Sequence, residues 1–479
     1  MCTMTDQHTP KLLVIGGGPA GISAALQARE FGAEVTVLEA DQVGGTSLNR
    51  GPAPVRTLAR AARLVRDWSS WEPFGLRGPR PTLDLDAVLA NSTRVAHYAH
   101  DKKKLADLLR GIGIDLVEHL GPVRFVDPHT LRADDGRSWR ADRIIVAVGG
   151  HAAPLPVPGS HLALSYDDLR SLKALPDEVA VIGGADTGCQ IASIFDDFGV
   201  AVRILEFGPT LLAFADPDVS AALTSAFEAQ GMRISTGTRV TELEADGDRI
   251  VVRYAHDADE GQVQVDAVFA AVGWPANLDP LDLDAAGISR DRMAIPVDDF
   301  LRTNVEDVFA VGDANGRAKL VQMARLEGRV AAWNAVRGPT RRPAYDVVPS
   351  GSFTDPEYGA VGLTEPQAAR DHDIAIGIAR YDDLLRPVAD GHTDGFCKLI
   401  ADRASHRVLG AHVLGEYSAE TVQVVATAMS ADMTVEQLAD MQFAFPTFTE
   451  AVSMAAQKAC RAIGTGHFPT AWSYLGEEP

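Results

Sequence analysis

Hydrophobic residues occur along this chain in short continuous runs separated by glycine-rich turns. Residues 11–15 read as a buried strand, a helical pattern follows over residues 22–31, and residues 35–38 predict a second strand. Runs of this length that alternate with helices are typical of parallel strands buried on both faces. The pattern therefore predicts an α/β fold built on a parallel sheet.

The turn after the first strand has the spacing of a dinucleotide-binding loop. Its characteristic residues are Gly16, Gly18, Pro19, Ala20 and Gly21. Glycines allow a tight turn and close approach of a pyrophosphate, which the N-terminus of the following helix binds through its N–H groups. Glu39 ends the second strand, where an acid accepts a hydrogen bond from a ribose hydroxyl. The whole unit predicts a bound dinucleotide.

The same unit recurs over residues 179–206, again as strand, turn, helix and strand. The residues of its turn and the acid that follows are Gly183, Ala185, Asp186, Gly188 and Glu206. A repeated unit predicts a second dinucleotide. Glu206 would bond a ribose 2′-hydroxyl and repel a 2′-phosphate, so this site should prefer NADH to NADPH.

The rest of the pattern divides into two parts. Up to residue 344, apolar runs predict strands at 143–149, 268–273 and 308–313 and helices at 54–65, 83–111 and 320–336, with a loop at 68–81 and a crossing segment at 151–160. From residue 345, short strands at 350–354, 395–401 and 408–414 alternate with helices at 419–430 and 449–463. The second part is predicted to be a separate α+β domain.

The composition of the chain indicates which classes of binding partner are disfavoured. The chain has 479 residues, 46% hydrophobic and 23% charged, and its net charge of −21 follows from 44 basic and 65 acidic residues. Such acidity disfavours nucleic acid and anionic membranes as partners. The first ten residues are polar and lack the apolar segment of a signal peptide, so we expect a cytoplasmic protein.

Four cysteines are spread along the chain, at Cys2, Cys189, Cys397 and Cys460. None forms a CxxC pair or a metal-ligand spacing with histidine. We therefore expect reduced thiols and no metal site.

These landmarks, in this order, resemble the flavoprotein disulfide reductases: dihydrolipoamide dehydrogenase, glutathione reductase and mercuric reductase. The resemblance covers nearly the whole chain and includes the stretch 353–365, which is similar to the start of that family's dimerisation domain. It implies FAD on the first turn, NAD(H) on the second, and a homodimer. In the family, the Asp at position 313 bonds the flavin ribityl chain, and the C-terminal segment of one subunit covers the flavin of the other.

The resemblance extends the predicted cofactor sites. The expected FAD residues are Gly16, Gly18, Pro19, Ala20, Gly21, Glu39, Gly45, Thr46, Arg56, Gly149, Gly312, Asp313 and Gln322. The expected NAD residues are Gly183, Ala185, Asp186, Gly188, Glu206 and Gly273. The predicted domains are FAD-binding (1–150 and 276–344), NAD-binding (151–275) and dimerisation (345–479), that is, two Rossmann-like domains plus an α+β domain.

The departures from the family pattern concentrate at its redox centre. Ser47 and Pro52 stand where the family has two cysteines. Other family positions have also changed: Arg56 for lysine, Gln190 for its partner glutamate, Asp186 for a tyrosine, and Phe443, Phe445 and Gln322 for histidines. Glu450 of the C-terminal histidine–glutamate unit is retained.

These changes leave only half of the family's chemistry. Serine and proline cannot cycle between dithiol and disulfide, and phenylalanine cannot transfer a proton. Hydride transfer from nicotinamide to flavin needs none of the missing groups. Arg56 with Gln190 adds one positive charge, which would favour the anionic reduced flavin. Phe443, Phe445 and Pro52 would make an apolar pocket suited to a flat oxidant, unless they only fill a pocket that has lost its substrate.

The sequence thus favours an NAD(P)H oxidoreductase that passes electrons from FAD directly to a quinone-like small molecule. The expected flavin-pocket residues are Arg56, Gln190, Phe445 and Glu450. Two alternatives stay open: a non-catalytic FAD- and NAD-binding redox sensor or partner subunit, and a nicotinamide transhydrogenase.

Overall fold

Twenty strands and thirteen α-helices lie within residues 9–257 and 259–465, which are the residues that this computed structural model describes. The strands are β1 (Lys11–Ile15), β2 (Glu34–Leu38), β3 (Asp115–Val117), β4 (Val123–Asp127), β5 (Thr130–Ala133), β6 (Ser138–Arg140), β7 (Arg143–Val146), β8 (Glu178–Ile182), β9 (Ala201–Leu205), β10 (Arg233–Ser235), β11 (Thr238–Asp246), β12 (Arg249–His256), β13 (Asp259–Val265), β14 (Ala267–Ala270), β15 (Val308–Ala310), β16 (Ser350–Ser352), β17 (Tyr358–Gly362), β18 (Ile374–Arg380), β19 (Phe396–Asp402) and β20 (Val408–Leu414).

The helices connect and cover these strands. They are α1 (Pro19–Glu30), α2 (Gly45–Asn49), α3 (Pro52–Arg66), α4 (Leu85–Lys103), α5 (Leu105–Gly111), α6 (Asp186–Phe198), α7 (Pro217–Gln230), α8 (Val321–Arg337), α9 (Glu365–Ala368), α10 (Leu385–Asp390), α11 (Ser418–Ser430), α12 (Val435–Asp440) and α13 (Glu450–Ile463). Short 3₁₀ helices occur at Asp67–Ser70, Glu72–Phe74, Ser160–Leu162, Tyr166–Ser171, Asp279–Leu281, Leu283–Ala286, Gly312–Asn315 and Tyr381–Asp383.

The first of two compact units comprises Met1–Leu58, Asp86–Ala153 and Val272–Ala344. Its five-stranded sheet has the order β15-β7-β1-β2-β3, and every neighbouring pair is parallel. A small antiparallel sheet of β4, β5 and β6 is added to it. Apolar side chains on both faces of the large sheet form two cores, which explains the continuous hydrophobic runs of β1 and β7.

The crossing segments of this unit pair with each other. The N–H of Ala153 donates to the carbonyl of Gly273 at 3.0 Å, and Gly150 forms a β-bridge with Ala276. The chain therefore leaves this unit after residue 153 and returns to it at residue 272, and the two connecting segments are hydrogen-bonded to each other.

Small residues let α1 and α8 pack closely in the same unit. Ala24, Ala25 and Ala28 of α1 are fully buried. A Cβ at Gly328 of α8 would lie 2.2 Å from the carbonyl oxygen of Ala20, so no larger residue fits there. This contact fixes the first turn of α1, which follows the glycine-rich loop.

The second unit comprises Ala59–Leu85, Pro154–Ala271 and Tyr345–Pro479. It contains a parallel sheet of order β10-β9-β8-β14, an antiparallel sheet of β11, β12 and β13, and an antiparallel sheet of order β16-β17-β20-β19-β18. Helices α11 and α13 bury their apolar faces against the last sheet. The parallel sheets and the C-terminal α+β region confirm the predicted fold class, whereas the predicted domain limits stay predictions.

Several predicted elements differ in detail from the structure. The helix predicted over 83–111 is two helices, because Lys104 has a φ of 45° and interrupts it. The helix predicted to start at residue 54 starts at Pro52, and a further short helix, α2, precedes it. Within the residues described, no helix combines the length and apolar composition needed to span a bilayer.

Candidate active site

The first glycine turn has room for backbone only. Gly16 has a φ of 103°, and a Cβ there would lie 2.4 Å from the carbonyl oxygen of Ala147. A Cβ at Gly21 would lie 1.9 Å from the carbonyl oxygen of Gly16. Gly18 precedes α1, whose N-terminus has no side-chain cap. The tight turn and the uncapped N–H groups match what a pyrophosphate requires.

Glu39 lies against this turn. Its Oε2 accepts a hydrogen bond from the N–H of Gly17 at 2.6 Å, and its Oε1 accepts one from the N–H of Asp41 at 2.9 Å. Burial raises the pKa of Glu39, while the two backbone donors act in the opposite direction. The carboxylate is thus fixed beside the turn and keeps lone pairs for a ribose hydroxyl.

Gly44 and Gly45 bring a second segment to the same place. The N–H of Gly44 donates to the carbonyl of Gly17 at 2.8 Å. Gly45 has a φ of 60°, and a Cβ there would lie 2.7 Å from the Cα of Gly18. The structure therefore brings together the predicted residues Gly16, Gly18, Gly21, Glu39 and Gly45.

Asp313 is held by a tryptophan. The indole Nε1 of Trp274 donates to Oδ2 of Asp313 at 2.8 Å, and Lys319 donates to the carbonyl of Trp274 at 2.6 Å. Burial raises the pKa of Asp313, and the Trp274 bond and the Lys319 charge oppose that rise. Among the described residues, Trp274 is the one hydrogen-bond donor to this carboxylate, so its second oxygen is available to a ligand hydroxyl.

Glu327 supports the turn that carries Asp313. This side chain is fully buried on α8, and its Oε2 accepts from the N–H of Gly312 at 2.6 Å and from the amide of Asn315 at 2.7 Å. A buried carboxylate with two donors fixes the backbone at residues 312–315.

The remaining predicted FAD residues belong to the same unit. Thr46 lies in α2, Arg56 on the exposed side of α3, and Gln322 at the start of α8. Gly149 has a φ of 67° and follows β7. The glycine cradle, the uncapped helix and the half-satisfied Asp313 together fit an FAD molecule.

The second glycine turn repeats the geometry of the first. Gly183 has a φ of 105°, and a Cβ at Gly188 would lie 1.8 Å from the carbonyl oxygen of Gly183. Ala185 precedes α6, and this helix also lacks a side-chain cap. The alanine has a φ of −83°, so the loss of a glycine there costs no backbone strain. These residues fit a second pyrophosphate.

The carboxylate of Glu206 is held by backbone N–H groups, as that of Glu39 is. Its carboxylate accepts hydrogen bonds from the N–H groups of Gly184 and Gly208. The next residue, Phe207, is 65% exposed, and the guanidinium of Arg239 lies 4.9 Å from its ring centroid. An acid, an aromatic ring and an arginine therefore stand together beyond the end of β9.

Asp186 is the first residue of α6. Burial raises its pKa to about 6, and its Oδ1 is buried without a hydrogen-bond partner among the described residues. Gln190 lies one turn further along α6. Gly273, predicted for the same nucleotide, belongs to the first unit.

Ser47 and Pro52 are the residues predicted to stand in place of the family cysteines. Ser47 donates to the carbonyl of Gly44 at 3.3 Å, and Pro52 begins α3. The cysteines that the structure describes are Cys189, Cys397 and Cys460, all free and buried. Burial raises the pKa of each, to about 12 for Cys397 and Cys460. Cys2 lies outside the described residues.

The C-terminal segment presents an aromatic ring to solvent. Phe445 is 70% exposed, whereas Phe443 packs against the core of the C-terminal sheet. Glu450 begins α13; its Oε2 is buried and, within residues 9–257 and 259–465, has no hydrogen-bond partner. Burial raises the pKa of Glu450.

Sequence reasoning missed Trp274 and Glu327, which hold Asp313 and its turn, and also Phe207 and Arg239, which lie beside Glu206. The sequence does contain a signal for Phe207, because this aromatic residue directly follows Glu206, the acid that ends the second strand of the repeated unit. The other three act on residues distant in the chain, and only the fold pairs them.

Comparison with known proteins identifies one family. Residues 10–328 match the model described as pyridine nucleotide-disulphide oxidoreductase, and residues 348–456 match the dimerisation domain of the same family. A dihydrolipoyl dehydrogenase of Zymomonas mobilis subsp. mobilis is 32% identical over 450 residues, covering 92% of this chain and 96% of that protein. A mercuric reductase of Lysinibacillus sphaericus is 29% identical over 458 residues, covering 95% and 83%.

Solved structures of similar fold are also known. The HOCl-induced flavoprotein disulfide reductase RclA from Escherichia coli has a TM-score of 0.83 at 25% identity and covers 93% of this chain and 99% of its own. LpdA from Mycobacterium tuberculosis has a TM-score of 0.85 at 24% identity, covers 94% and 99%, and shares the fold. The chain therefore belongs to the pyridine nucleotide-disulphide oxidoreductase family, whose members are flavoprotein oxidoreductases that use NAD(P)H.

Proposed function

We propose that this protein takes electrons from NADH and delivers them through FAD to a small acceptor of quinone type. FAD, when bound, supplies the redox chemistry, since it accepts two electrons from the reduced nicotinamide and returns them to an oxidant. The balanced reaction converts NADH, one proton and a quinone into NAD⁺ and a quinol. The first glycine turn with Glu39 and Asp313 would hold FAD, and the second with Glu206 would hold NADH.

The lack of a thiol pair in residues 44–57 is the observation that carries this proposal. Ser47 and Pro52 occupy the two positions, and neither can form a disulfide. The described cysteines are buried with raised pKa values, so they supply no thiolate at neutral pH. Electrons would therefore leave the flavin directly to a soluble acceptor.

The aromatic C-terminal segment supports an apolar acceptor. We propose a homodimer in which Phe445 of one subunit lines the acceptor pocket of the other, and its 70% exposure in the single chain agrees with such a role. A phenyl ring in that position stacks on a planar quinone. Glu450, with its raised pKa, would hold a proton in the same segment.

The charged residues suggest how the two cofactors are tuned. Arg56 keeps a positive charge at the family lysine position, in the unit that would hold FAD, and a cation near the flavin would stabilise its reduced form. Glu206 accepts two backbone N–H groups and so stays beside the turn, where it would exclude the 2′-phosphate of NADPH.

Anaerobic stopped-flow spectroscopy tests the proposal. Mixing the FAD-loaded protein with NADH should give fully reduced flavin without a thiolate-to-flavin charge-transfer band. Adding a menadione-like quinone should reoxidise the flavin within the turnover time, whereas a lipoamide disulfide should not. A charge-transfer band that disappears with a thiol reagent would refute the direct route.

Phe445→Ala separates the acceptor side from the nicotinamide side. We expect it to lower kcat/KM for the quinone about tenfold while the rate of flavin reduction by NADH stays unchanged. Phe74→Ala, another exposed phenylalanine at 53%, serves as the control. Flavin reduction that takes many minutes, with no turnover on any acceptor, would instead favour a redox sensor.

A further inference from the structure

Helix α8 carries a row of exposed arginines on a chain that is otherwise strongly acidic. Arg325, Arg329 and Arg337 are exposed and are separated by multiples of four residues, so they follow one ridge of side chains along the helix. Residues 317–342 contain seven basic residues and one acid, which is buried, whereas the whole chain has a net charge of −21. A locally positive surface therefore stands on an acidic protein.

The segment after α8 extends this surface and is tied to the helix. The buried side chain of Asn334 accepts hydrogen bonds from the N–H groups of Thr340 and Arg341 at 3.1 and 3.0 Å. Its amide donates to the carbonyl of Arg341 at 2.8 Å. The exposed side chains of Arg341 and Arg342 therefore stand on backbone that is fixed beside the end of α8.

Aromatic rings hold two of the guanidinium groups in place. The guanidinium of Arg341 lies 3.4 Å from the ring centroid of Trp333, and that of Arg337 lies 5.2 Å from the ring centroid of Phe31. The two rings pack edge to face, with their centroids 5.2 Å apart. A stacked guanidinium keeps its N–H groups available at its edge, and it loses less freedom when it binds a carboxylate.

Most of these positive charges lack an acidic partner. Arg342 forms an exposed ion pair with Asp299 at 3.3 Å. Within the part of the chain that the structure describes, the other arginines of the surface form no ion pair: Arg325, Arg329, Arg337 and Arg341. The helix dipole favours a cation in the last turn, which explains Arg337 but none of the other three.

We propose that this α8 arginine surface is a docking site for a short acidic segment of a partner protein. The surface consists of Arg325, Arg329, Trp333, Arg337, Arg341 and Arg342. Carboxylates of the segment bind the edges of the guanidinium groups, and the complementary charge orients the partner. The arginines lie on the exposed side of α8, whereas Glu327 supports the turn at Gly312 from the buried side, so docking leaves that turn free.

The net charge of the chain favours a short segment over an extended polyanion. At physiological salt, charges more than about 8 Å apart are largely screened, so a short segment interacts with the arginines alone. A nucleic acid or an anionic membrane would also meet the acidic remainder of the chain and be repelled by it.

Fluorescence anisotropy on the FAD-loaded protein tests the proposal. The probe is a fluorescein-labelled peptide of about twelve residues that alternates Glu with Gly, and the reference peptide has Gln in place of Glu. The Glu peptide should bind, with a Kd that rises about tenfold between roughly 50 and 200 mM salt, and the Gln peptide should not bind. The rate of flavin reduction by NADH should be the same with and without the Glu peptide.

A double variant locates the binding site of the peptide. Arg337→Gln combined with Arg341→Gln should raise the Kd of the Glu peptide about fivefold, because two exposed ion pairs are lost. The control combines Arg132→Gln with Arg292→Gln, two exposed arginines of the same unit, and changes the net charge equally. The control should leave the Kd unchanged. Equal effects of the two double variants would show a response to net charge alone and would overturn the inference.

Three other results would also overturn it. A Glu peptide that does not bind, or that binds the native chain and the Arg337/Arg341 variant equally, would exclude the surface. Displacement of the peptide by NAD⁺ would place it in a nucleotide site. Tighter binding of a single-stranded thymidine oligonucleotide, or of vesicles that contain phosphatidylserine, with loss in the same variant, would assign the surface to nucleic acid or to a membrane instead.

Discussion

Burial, one hydrogen bond and one nearby charge together set the ionisation of Asp313. Burial pushes its pKa upward, and the indole N–H of Trp274 and the charge of Lys319 oppose that effect. A tryptophan donor also fixes one carboxylate oxygen and so aims the other at a ligand. Removing the donor should therefore change both the ionisation and the orientation of the carboxylate.

We expect Trp274→Phe to weaken FAD binding about tenfold at pH 7, since a hydrogen bond to a charged group contributes about 1.5–3 kcal/mol. The loss should grow as the pH falls, because the pKa of Asp313 rises further and the protonated acid is a poorer acceptor. Released FAD fluorescence in equilibrium dialysis between pH 5.5 and 8 measures it. Trp333→Phe, which removes an indole bonded to Thr340 at 3.0 Å, is the control. A loss of equal size at every pH would contradict this role of Trp274.

Residues that act together within one short stretch of sequence could be predicted. Residues that support a site from a distant position in the chain could not. Gly16, Gly21 and Glu39 belong to one short unit, so their spacing alone indicated a nucleotide turn. Trp274 acts on a carboxylate 39 positions away, and Glu327 acts on a turn 15 positions away. Neither residue type is typical of a cofactor site in the linear pattern.

Helix α6 carries polar residues at helical spacing along one side: Asp186, Gln190, Ser193 and Asp197. Ser193 accepts a hydrogen bond from the N–H of Asp355 at 3.0 Å. Burial raises the pKa of Asp197 to about 7, although Arg66 and Arg63 act against that rise. At neutral pH this buried acid is therefore only partly ionised.

Asp197→Asn should make stability less dependent on pH. The folded pKa of about 7 lies above the unfolded value of about 3.9, so the folded chain binds more protons between these limits. Stability from this group falls as the pH rises through that window, by on the order of 4 kcal/mol. The variant should have the higher Tm at pH 8, with the difference narrowing toward pH 4. Asp248→Asn, at an exposed position, is the control; parallel Tm curves for Asp197→Asn and the native chain would exclude the effect.

Secondary-structure elements were predicted correctly where a hydrophobic run was followed directly by a glycine turn. Strands β1 and β8 were visible because each contains a continuous run of four apolar residues that ends at a glycine. The break between α4 and α5 at Lys104 was not, since lysine gives no signal for a positive φ. Helix α2 was also missed, because its five residues begin with glycine and are too short for a periodic pattern.

A buried cluster of charges connects distant parts of the second unit. Lys398 on β19 is almost fully buried and donates to Asp216 at 2.8 Å, to Asp218 at 2.6 Å and to Glu365 at 2.5 Å. Asp216 also caps α7. Burial alone would lower the pKa of Lys398, but the three carboxylates raise it overall. The cluster therefore joins α7, α9 and the C-terminal sheet.

Lys398→Met should destabilise this unit by about 3–5 kcal/mol, because it leaves the fully buried Asp216 without its cation. Calorimetry of the FAD-loaded protein at pH 7 measures the fall in Tm. The pKa of Asp216 is depressed in the folded state, so the stabilisation exists above about pH 4 and is lost as the pH falls below it. The difference in Tm between Lys398→Met and the native chain should therefore shrink as the pH falls below about 4. Lys173→Met, at an exposed lysine, is the control, and an unchanged Tm for Lys398→Met would refute the role of the cluster.

The pairing of Ala153 with Gly273, and of Gly150 with Ala276, brings the two ends of the stretch 154–271 side by side. Adjacent ends are typical of a segment that has been inserted into a host domain. Because Asp216 and Ser193 of this stretch bond to Lys398 and Asp355, an exchange of the stretch would also have to match those residues of the C-terminal region.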